Sequence, residues 1–287
     1  MELKPLLFSI FTFVVSPLVF VLRLPLRGCV AIVEAAIPVY RCKVKGMRAE
    51  ALYECPSLTA LWRAKTLYSK EPDTIEWLNS MDDGDILYDI GANVGMYSIY
   101  AGLRGVRVLC FEPEAKNFAL LNRNIRLNNL QDTVSAYCLA VGVRTEFSHL
   151  HLSSDEVGGA VNNFGGAIDY NGEPFSPTFT QGAISMPMDD LWAIHGLPKP
   201  NHIKIDVDGL EALIISGAEA TLRLDDLKSV LIELNDQLPS DMAIAQQMKQ
   251  LGFRCESKFH AQMFDDTEYR HIYNYIFSKP QHNDLSL

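Results

Sequence analysis

What the chain lacks narrows it first. It has no C-x-x-C pair and no cysteine–histidine cluster at metal-ligand spacing; Cys29, Cys42, Cys55, Cys110, Cys138 and Cys255 are scattered. They read as apolar thiols of a reducing compartment, which argues against a disulfide framework and against a zinc site. Positive charge is also short. The chain carries 25 Lys and Arg against 35 Asp and Glu, a net charge of −10. That excludes a broad basic face for nucleic acid. No internal repeat occurs, and 21% charged residues with 48% apolar ones leave no disorder signature.

What is present is a chain of 287 residues, long enough for one large domain, or one domain with an appendage. Residues 6–22 hold no charge, and only Ser9, Thr12, Ser16 and Pro17 interrupt the apolar run. As a helix, seventeen residues reach about 26 Å, just under a bilayer core of roughly 30 Å. Apolar character resumes from Leu24 to Tyr40, and Arg23, Arg27, Arg41, Lys43, Lys45 and Arg48 crowd that side. Three readings accommodate this: a membrane anchor, a helix packed on the domain or in an oligomer, and a cleaved signal peptide. The first leads. It gives membrane association through residues 6–40, with the main domain held on the cytoplasmic side by the positive residues.

The organisation expected is a hydrophobic N-terminal segment (1–45), a helical connector (46–82) and a main domain (83–280) with an insertion at 144–188. In the connector, 57–67 and 71–78 have helical spacing. From 86 on, strand and helix signals alternate: strands at 86–90, 107–111, 134–141, 202–208 and 229–235, helices at 94–103, 115–128, 210–223 and 240–251. Phe118, Leu121, Ile125 and Leu127 face the sheet. Alternation of this kind predicts an α/β fold, a parallel sheet with helices on both faces. The insertion is rich in Gly, Asn, Ser and Pro, with short β signals at 149–152 and 183–186, and suits a lid.

The strands end on acids: Asp89, Glu112, Asp206 with Asp208, and Glu233. In an open parallel sheet, ligands bind beyond those carboxyl ends. The first strand passes into a glycine turn, Asp89-Ile90-Gly91-Ala92-Asn93-Val94-Gly95. It lacks the G-x-G-x-x-G of dinucleotide binders and the Lys-Ser/Thr of a phosphate loop. Glu112, closing the next strand, is placed to accept hydrogen bonds from two ribose hydroxyls. A nucleoside without a pyrophosphate fits this pattern, and S-adenosylmethionine (SAM) fits best: a ribose for Glu112, an amino-acid end for the turn, a sulfonium for an acidic pocket.

Five stretches together resemble the FkbM family of class I methyltransferases: 88–95, Phe111-Glu112-Pro113, 121–128, Ala140-Val141-Gly142, and Ile203-Lys204-Ile205-Asp206-Val207-Asp208-Gly209-Leu210-Glu211. The resemblance covers roughly 83–278. It implies a Rossmann-like class I methyltransferase sheet, with the N-terminal hydrophobic helical segment outside the family pattern. It implies SAM-dependent O-methylation of a hydroxyl on a small molecule, sugar, glycan or polyketide-like acceptor. By the same resemblance, Asp89, Gly91, Asn93 and Gly95 hold the methionine part, Glu112 the ribose, and Ala140 with Val141 the adenine. Lys204, Asp206, Asp208 and Glu211 lie where the acceptor enters. The family often has Glu where Asp208 stands, a departure that keeps the charge.

The reaction expected is in-line displacement, with the enzyme supplying alignment and a base near the methyl. Asp206 is the first candidate base and Asp208 the second. On a continuing strand they point to opposite sides, so only one faces the methyl. Glu211 serves equally as a helix-start residue. A divalent metal on Asp206, Asp208 and Glu233 is weighed and set aside, because no ligand spacing compels it. His149, His151 and His195 read as solvated residues before catalytic ones. The rival from another class is a non-catalytic scaffold that keeps the nucleoside pocket. An oligomer is compatible with all of this.

Overall fold

The computed structural model describes residues 26–280. The chain divides into two compact units, one up to Pro38 and one from Val39 on. In the first, helix α1 (Leu26–Ala35) leaves Val30, Ile32 and Val33 exposed. The apolar run at 6–22 lies outside the described residues. Among the described residues no helix is long and apolar enough to cross a membrane.

The second unit opens with an antiparallel hairpin, β1 (Val39–Lys43) and β2 (Glu50–Glu54), followed by α2 (Leu58–Lys65) and α3 (Pro72–Asn79). Ser57 caps α2 by accepting the Ala60 N–H at 2.9 Å, and Pro72 starts α3 where a missing N–H costs nothing. Then come β3 (Ile86–Ile90), α4 (Met96–Leu103), β4 (Arg107–Phe111), α5 (Ala115–Leu127) and β5 (Val134–Tyr137). Strand β6 (Ala140–Gly142) leads into the insertion, which supplies β7 (Glu146–Leu152), β8 (Asn162–Phe164) and β9 (Phe179–Pro187), and α6 (Met188–Ala193) follows. The second half is β10 (His202–Ile205), α7 (Glu211–Ser216), α8 (Glu219–Leu222), β11 (Ser229–Asn235), α9 (Pro239–Gln250), β12 (Arg254–Phe259) and β13 (Ile272–Ser278).

Seven strands form the central sheet in the order β12-β13-β11-β10-β3-β4-β5. The run β11-β10-β3-β4-β5 is parallel, and β13 pairs antiparallel with β11 and β12. The chain builds outward from β3 to β5, then crosses to the other side of β3 for β10 and β11. The switch point, and so the crevice for a ligand, lies between β3 and β10. Alternate side chains feed two cores. Leu87, Val108, Cys110 and Leu231 pack with α2–α5 on one face; Tyr88, Ile90, Phe111, Ile203 and Ile232 pack on the other. On the first face β10 presents His202 and Lys204 instead of apolar residues, both buried.

Several expectations change here. Residues 46–82 contain β2 as well as two helices, and Ala51, Tyr53, Ala60, Leu67, Ile75 and Leu78 belong to the core. Two asparagines one turn apart on α5 satisfy the outer edge of β2. Asn128 Oδ1 accepts the Leu52 N–H and its Nδ2 donates back to the Leu52 carbonyl, at 2.9 and 2.7 Å; Asn124 Oδ1 accepts the Glu54 N–H at 2.9 Å. Helix α5 therefore buries Asn117, Leu120, Leu121, Asn124 and Ile125, while Phe118 and Leu127 are only half-buried. The single strand expected at 134–141 is two strands in different sheets. The insertion forms, with β6, a four-stranded sheet of order β6-β9-β7-β8, with the β7–β9 and β7–β8 pairs antiparallel. Strand β10 stops at Ile205, and the helix expected at 210–223 breaks into α7 and α8 at Gly217.

Candidate active site

The glycine turn after β3 sits directly on the ends of its neighbours. Gly91 adopts φ +80, and a Cβ there would lie 1.9 Å from the Asp206 carbonyl oxygen, so no other residue fits. Its N–H donates to the Phe111 carbonyl at 2.9 Å. Asn93 is left-handed too (φ 50), and Gly95 starts α4 with φ 85 against Leu121. The turn is thus clamped between β4 and β10, with its backbone toward the crevice.

Glu112, just past β4, accepts the Asn93 N–H at 2.8 Å with Oε2 and the Glu114 N–H at 2.9 Å with Oε1. Each oxygen keeps a lone pair for a ligand hydroxyl. Burial pushes this carboxyl up to about 7, against those two N–H groups, which pull it down.

A cavity of about 250 Å³ runs from Glu112 across the switch point to β11 and β13. Gly91, Asn93, Glu112, Ala140 and Val141 line one end. Asp206, Asp208, Glu233 and Asn274 line the other. Asp89, Gly95, Lys204 and Glu211 do not reach it. Asp89 is buried below the turn and accepts a hydrogen bond from Ser98 Oγ, while its Oδ1 has no partner among the described residues. It borders a second hollow of about 30 Å³ shared with Gly91, Asn93, Lys204 and Asp206. Gly95 caps α4. Glu211 accepts the Val207 and Gly209 N–H groups at 3.4 and 3.3 Å, holding the turn after β10, and burial raises it to about 8.

Because β10 ends at Ile205, Asp206 and Asp208 do not obey strand alternation, and both reach the cavity. Their circumstances differ. Asp206 Oδ2 lies 2.6 Å from Lys204 Nζ, and the lysine is 1% exposed. Burial alone would raise Asp206; the Lys204 ammonium overrides it and holds the carboxyl at about 2. Burial, then the charge of Asp206, raises Asp208. Asp208 is left-handed (φ 56), and its Oδ2 accepts the Val161 N–H at 2.6 Å. Burial and the Asp206 charge push Glu233 well above the usual carboxyl range.

Several residues that line the cavity carried no local signal in the sequence. Arg63 and Lys70 come from α2 and the turn after it, and Lys70 pairs with Glu71 at 2.8 Å. His260 and Asn274 come from β12–β13. The 157–161 segment of the insertion crosses the opening, tied down by side chains on every side. Ser57 and Arg63 donate to the carbonyls of Val157 and Gly158, both at 2.6 Å. Asn117 accepts the Gly158 N–H at 2.7 Å, and Asn93 donates to the Gly159 carbonyl at 2.8 Å. His149, His151 and His195 do not line the cavity. Among the described residues no three His, Cys, Asp or Glu side chains are grouped to hold a metal ion.

The Methyltransferase FkbM domain family matches residues 89–255, more than half of the chain. The hexuronic acid methyltransferase AglP of Haloferax volcanii is 23% identical over 193 residues, covering 64% of this chain and 70% of that protein. The 31-O-demethyl-FK506 methyltransferase FkbM of Streptomyces tacrolimicus is 26% identical over 156 residues, 47% of this chain and 60% of that one. Among solved structures, magnesium protoporphyrin IX methyltransferase (ChlM) from Synechocystis PCC 6803 with bound SAM aligns at a TM-score of 0.45. It is 11% identical and covers 77% of this chain and 81% of that chain.

Proposed function

The chain belongs to the methyltransferase FkbM domain family, and on that premise we propose that it uses SAM to methylate a hydroxyl oxygen of a sugar, glycan or natural-product acceptor. The observation that carries the reading is Glu112, fixed by two backbone N–H groups at one end of a cavity whose other end is acidic. The residues present fit the donor. Glu112 holds the ribose hydroxyls, and Ala140 and Val141 give an apolar wall for the adenine. The Gly91–Asn93 backbone takes the amino-acid end, with the unpartnered Asp89 Oδ1 behind it. When bound, SAM supplies a methyl group on a positively charged sulfur.

The chain's own residues then have distinct tasks. The clamped turn and the 157–161 segment fix orientation and exclude water. Asp206, kept ionised by Lys204, places negative charge in the cavity without taking up a proton near neutral pH. Asp208 carries its charge beside the acceptor path while anchoring Val161. Glu211 acts through the 207–209 turn. The names of two relatives, one acting on a hexuronic acid and one on a 31-O position, support oxygen as the acceptor atom.

The test is calorimetric titration with SAM and S-adenosylhomocysteine (SAH), followed by transfer of a labelled methyl to uronic acids, neutral sugars and hydroxylated macrolides. Micromolar binding with label on a hydroxyl is the expected result. Binding without transfer to any acceptor turns the reading toward a nucleoside-binding scaffold, and absence of binding overturns it.

A further inference from the structure

Oxygen methylation releases a proton, and the cavity must contain a group free to take it. Five carboxyl groups line it: Glu71, Glu112, Asp206, Asp208 and Glu233. Four are committed. Glu71 pairs with Lys70 and accepts from Thr74 Oγ1 at 3.0 Å. Glu112 is held by Asn93 and Glu114, Asp206 by Lys204, and Asp208 by the Val161 N–H. Glu233 alone of the five accepts no hydrogen bond and makes no ion pair among the described residues. His260 also lines the cavity; its Nδ1 is 2.8 Å from the Ile272 carbonyl, while its buried Nε2, 3.2 Å from Asp265 Oδ1, makes no hydrogen bond among the described residues, so Glu233 is the one carboxyl, though not the one polar group, left with an open site.

Position agrees with availability. Glu233 lies near the end of β11, on the side of the switch point away from Glu112. Its register partner is Asn274 of β13, also in the cavity wall. Its carboxyl therefore faces the half of the cavity left over once a nucleoside occupies the Glu112 end.

Resting on the methyl-donor reading above, we infer that Glu233 is the group that accepts the acceptor's proton. The acceptor oxygen bonds to the methyl carbon as the carbon–sulfur bond breaks, and that bond's electron pair stays on sulfur. The O–H proton passes to the Glu233 carboxylate. For this, Glu233 must be ionised when the acceptor arrives. Burial, then the charges of Asp206, Asp208 and Glu71, raise this carboxyl well above its ordinary range, opposed by Lys70. A ligand that brings a positive charge into this cavity shifts that balance. SAM does so, and SAH, which differs only by the methyl and its charge, does not. The donor that makes the reaction possible thus also frees the base, and the proton leaves to solvent on binding.

This separates from any effect of Glu112, whose ribose contact is common to both ligands. Titrations of the full chain with SAM and with SAH, in buffers of different ionisation enthalpy between pH 6 and 8, give protons released per ligand bound. We expect SAM to release roughly half a proton or more beyond SAH. Glu233→Gln, which mimics the protonated side chain, is expected to remove that difference while SAH affinity changes less than about threefold. With an acceptor in hand, the same variant lowers kcat by roughly a hundredfold or more without raising the KM for SAM. A wild-type difference of zero overturns the inference whether or not the variant folds. A difference that persists in Glu233→Gln also overturns it. No heat with either ligand overturns the methyl-donor reading, and this inference with it.

Discussion

Lys204 and Asp206 form a buried ion pair at 2.6 Å, two residues apart where β10 runs out beside the glycine turn. Asp206 faces the cavity while Lys204 backs it from below. The lysine is pushed up by Asp206, Asp89 and Glu71 against burial, and the aspartate is pushed down. Both are charged near neutral pH.

Asp206→Asn leaves the Lys204 ammonium buried with its main partner gone. A cost of about 3–5 kcal/mol is expected in urea unfolding, with much of it recovered in Asp206→Asn/Lys204→Met. The sign for pH follows from the depressed aspartate. Its stabilisation is present above about pH 4, the unfolded value, and is lost as pH falls toward 2. A loss under 1 kcal/mol in the single variant shows that the pair is not insulated from water.

Glu112→Ala is expected to weaken SAH binding by about 1–3 kcal/mol, a factor of roughly 5 to 150, because two ribose hydroxyls lose their acceptor. Titration calorimetry reads it directly. Equal affinity removes Glu112 from the cofactor contact.

Glu112 and Glu211 are both raised, to about 7 and about 8. Carboxyls of this kind leave stability intact below their unfolded values near 4.5 and erode it as pH rises through the folded ones. Thermal melts of the ligand-free protein are therefore expected to fall from about pH 4.5 to about pH 8 and to level off above it. Glu211→Gln flattens the upper part of that fall and gains on the wild type at pH 9. A difference between variant and wild type that is constant from pH 5 to 9 shows an ordinary carboxyl.

Gly91→Ala puts a methyl 1.9 Å from the Asp206 carbonyl at φ +80. Destabilisation of roughly 2 kcal/mol or more is expected, with loss of SAM binding, since the turn must leave both β4 and β10. A folded variant with normal affinity shows that the turn is not part of the site.

The glycine turn and Glu112 were legible in the sequence because their signals are local. An apolar strand run, two glycines and an acid at the next strand end stand close together in the chain. Glu233 was legible as a strand end for the same reason. Arg63 and Lys70 were not, because the cavity walls they join are built by residues far along the chain and nothing around them marks a site. The β1–β2 hairpin escaped because its edge is completed by Asn124 and Asn128, side chains of a helix some 70 residues away. The insertion read as a lid because it is long and rich in Gly, Asn, Ser and Pro; its sheet left little trace because β7 alternates burial only at its far end, with Phe147 exposed. What the sequence did not carry is that Lys204, two residues before Asp206, pairs with it and lowers its carboxyl.

The walls of the cavity come from two populations of residues. Gly91, Asn93, Glu112, Ala140, Val141, Asp206, Asp208 and Glu233 belong to the stretch matching the family, 89–255. Arg63 and Lys70 come from before that stretch and His260 and Asn274 from after it. The stretch that makes this chain recognisable as a methyltransferase thus shares its cavity with residues from both flanks. Exchanging both flanks together with those of a relative is expected to change which acceptor is taken while cofactor affinity stays the same, and unchanged acceptor use would separate the flanks from that choice.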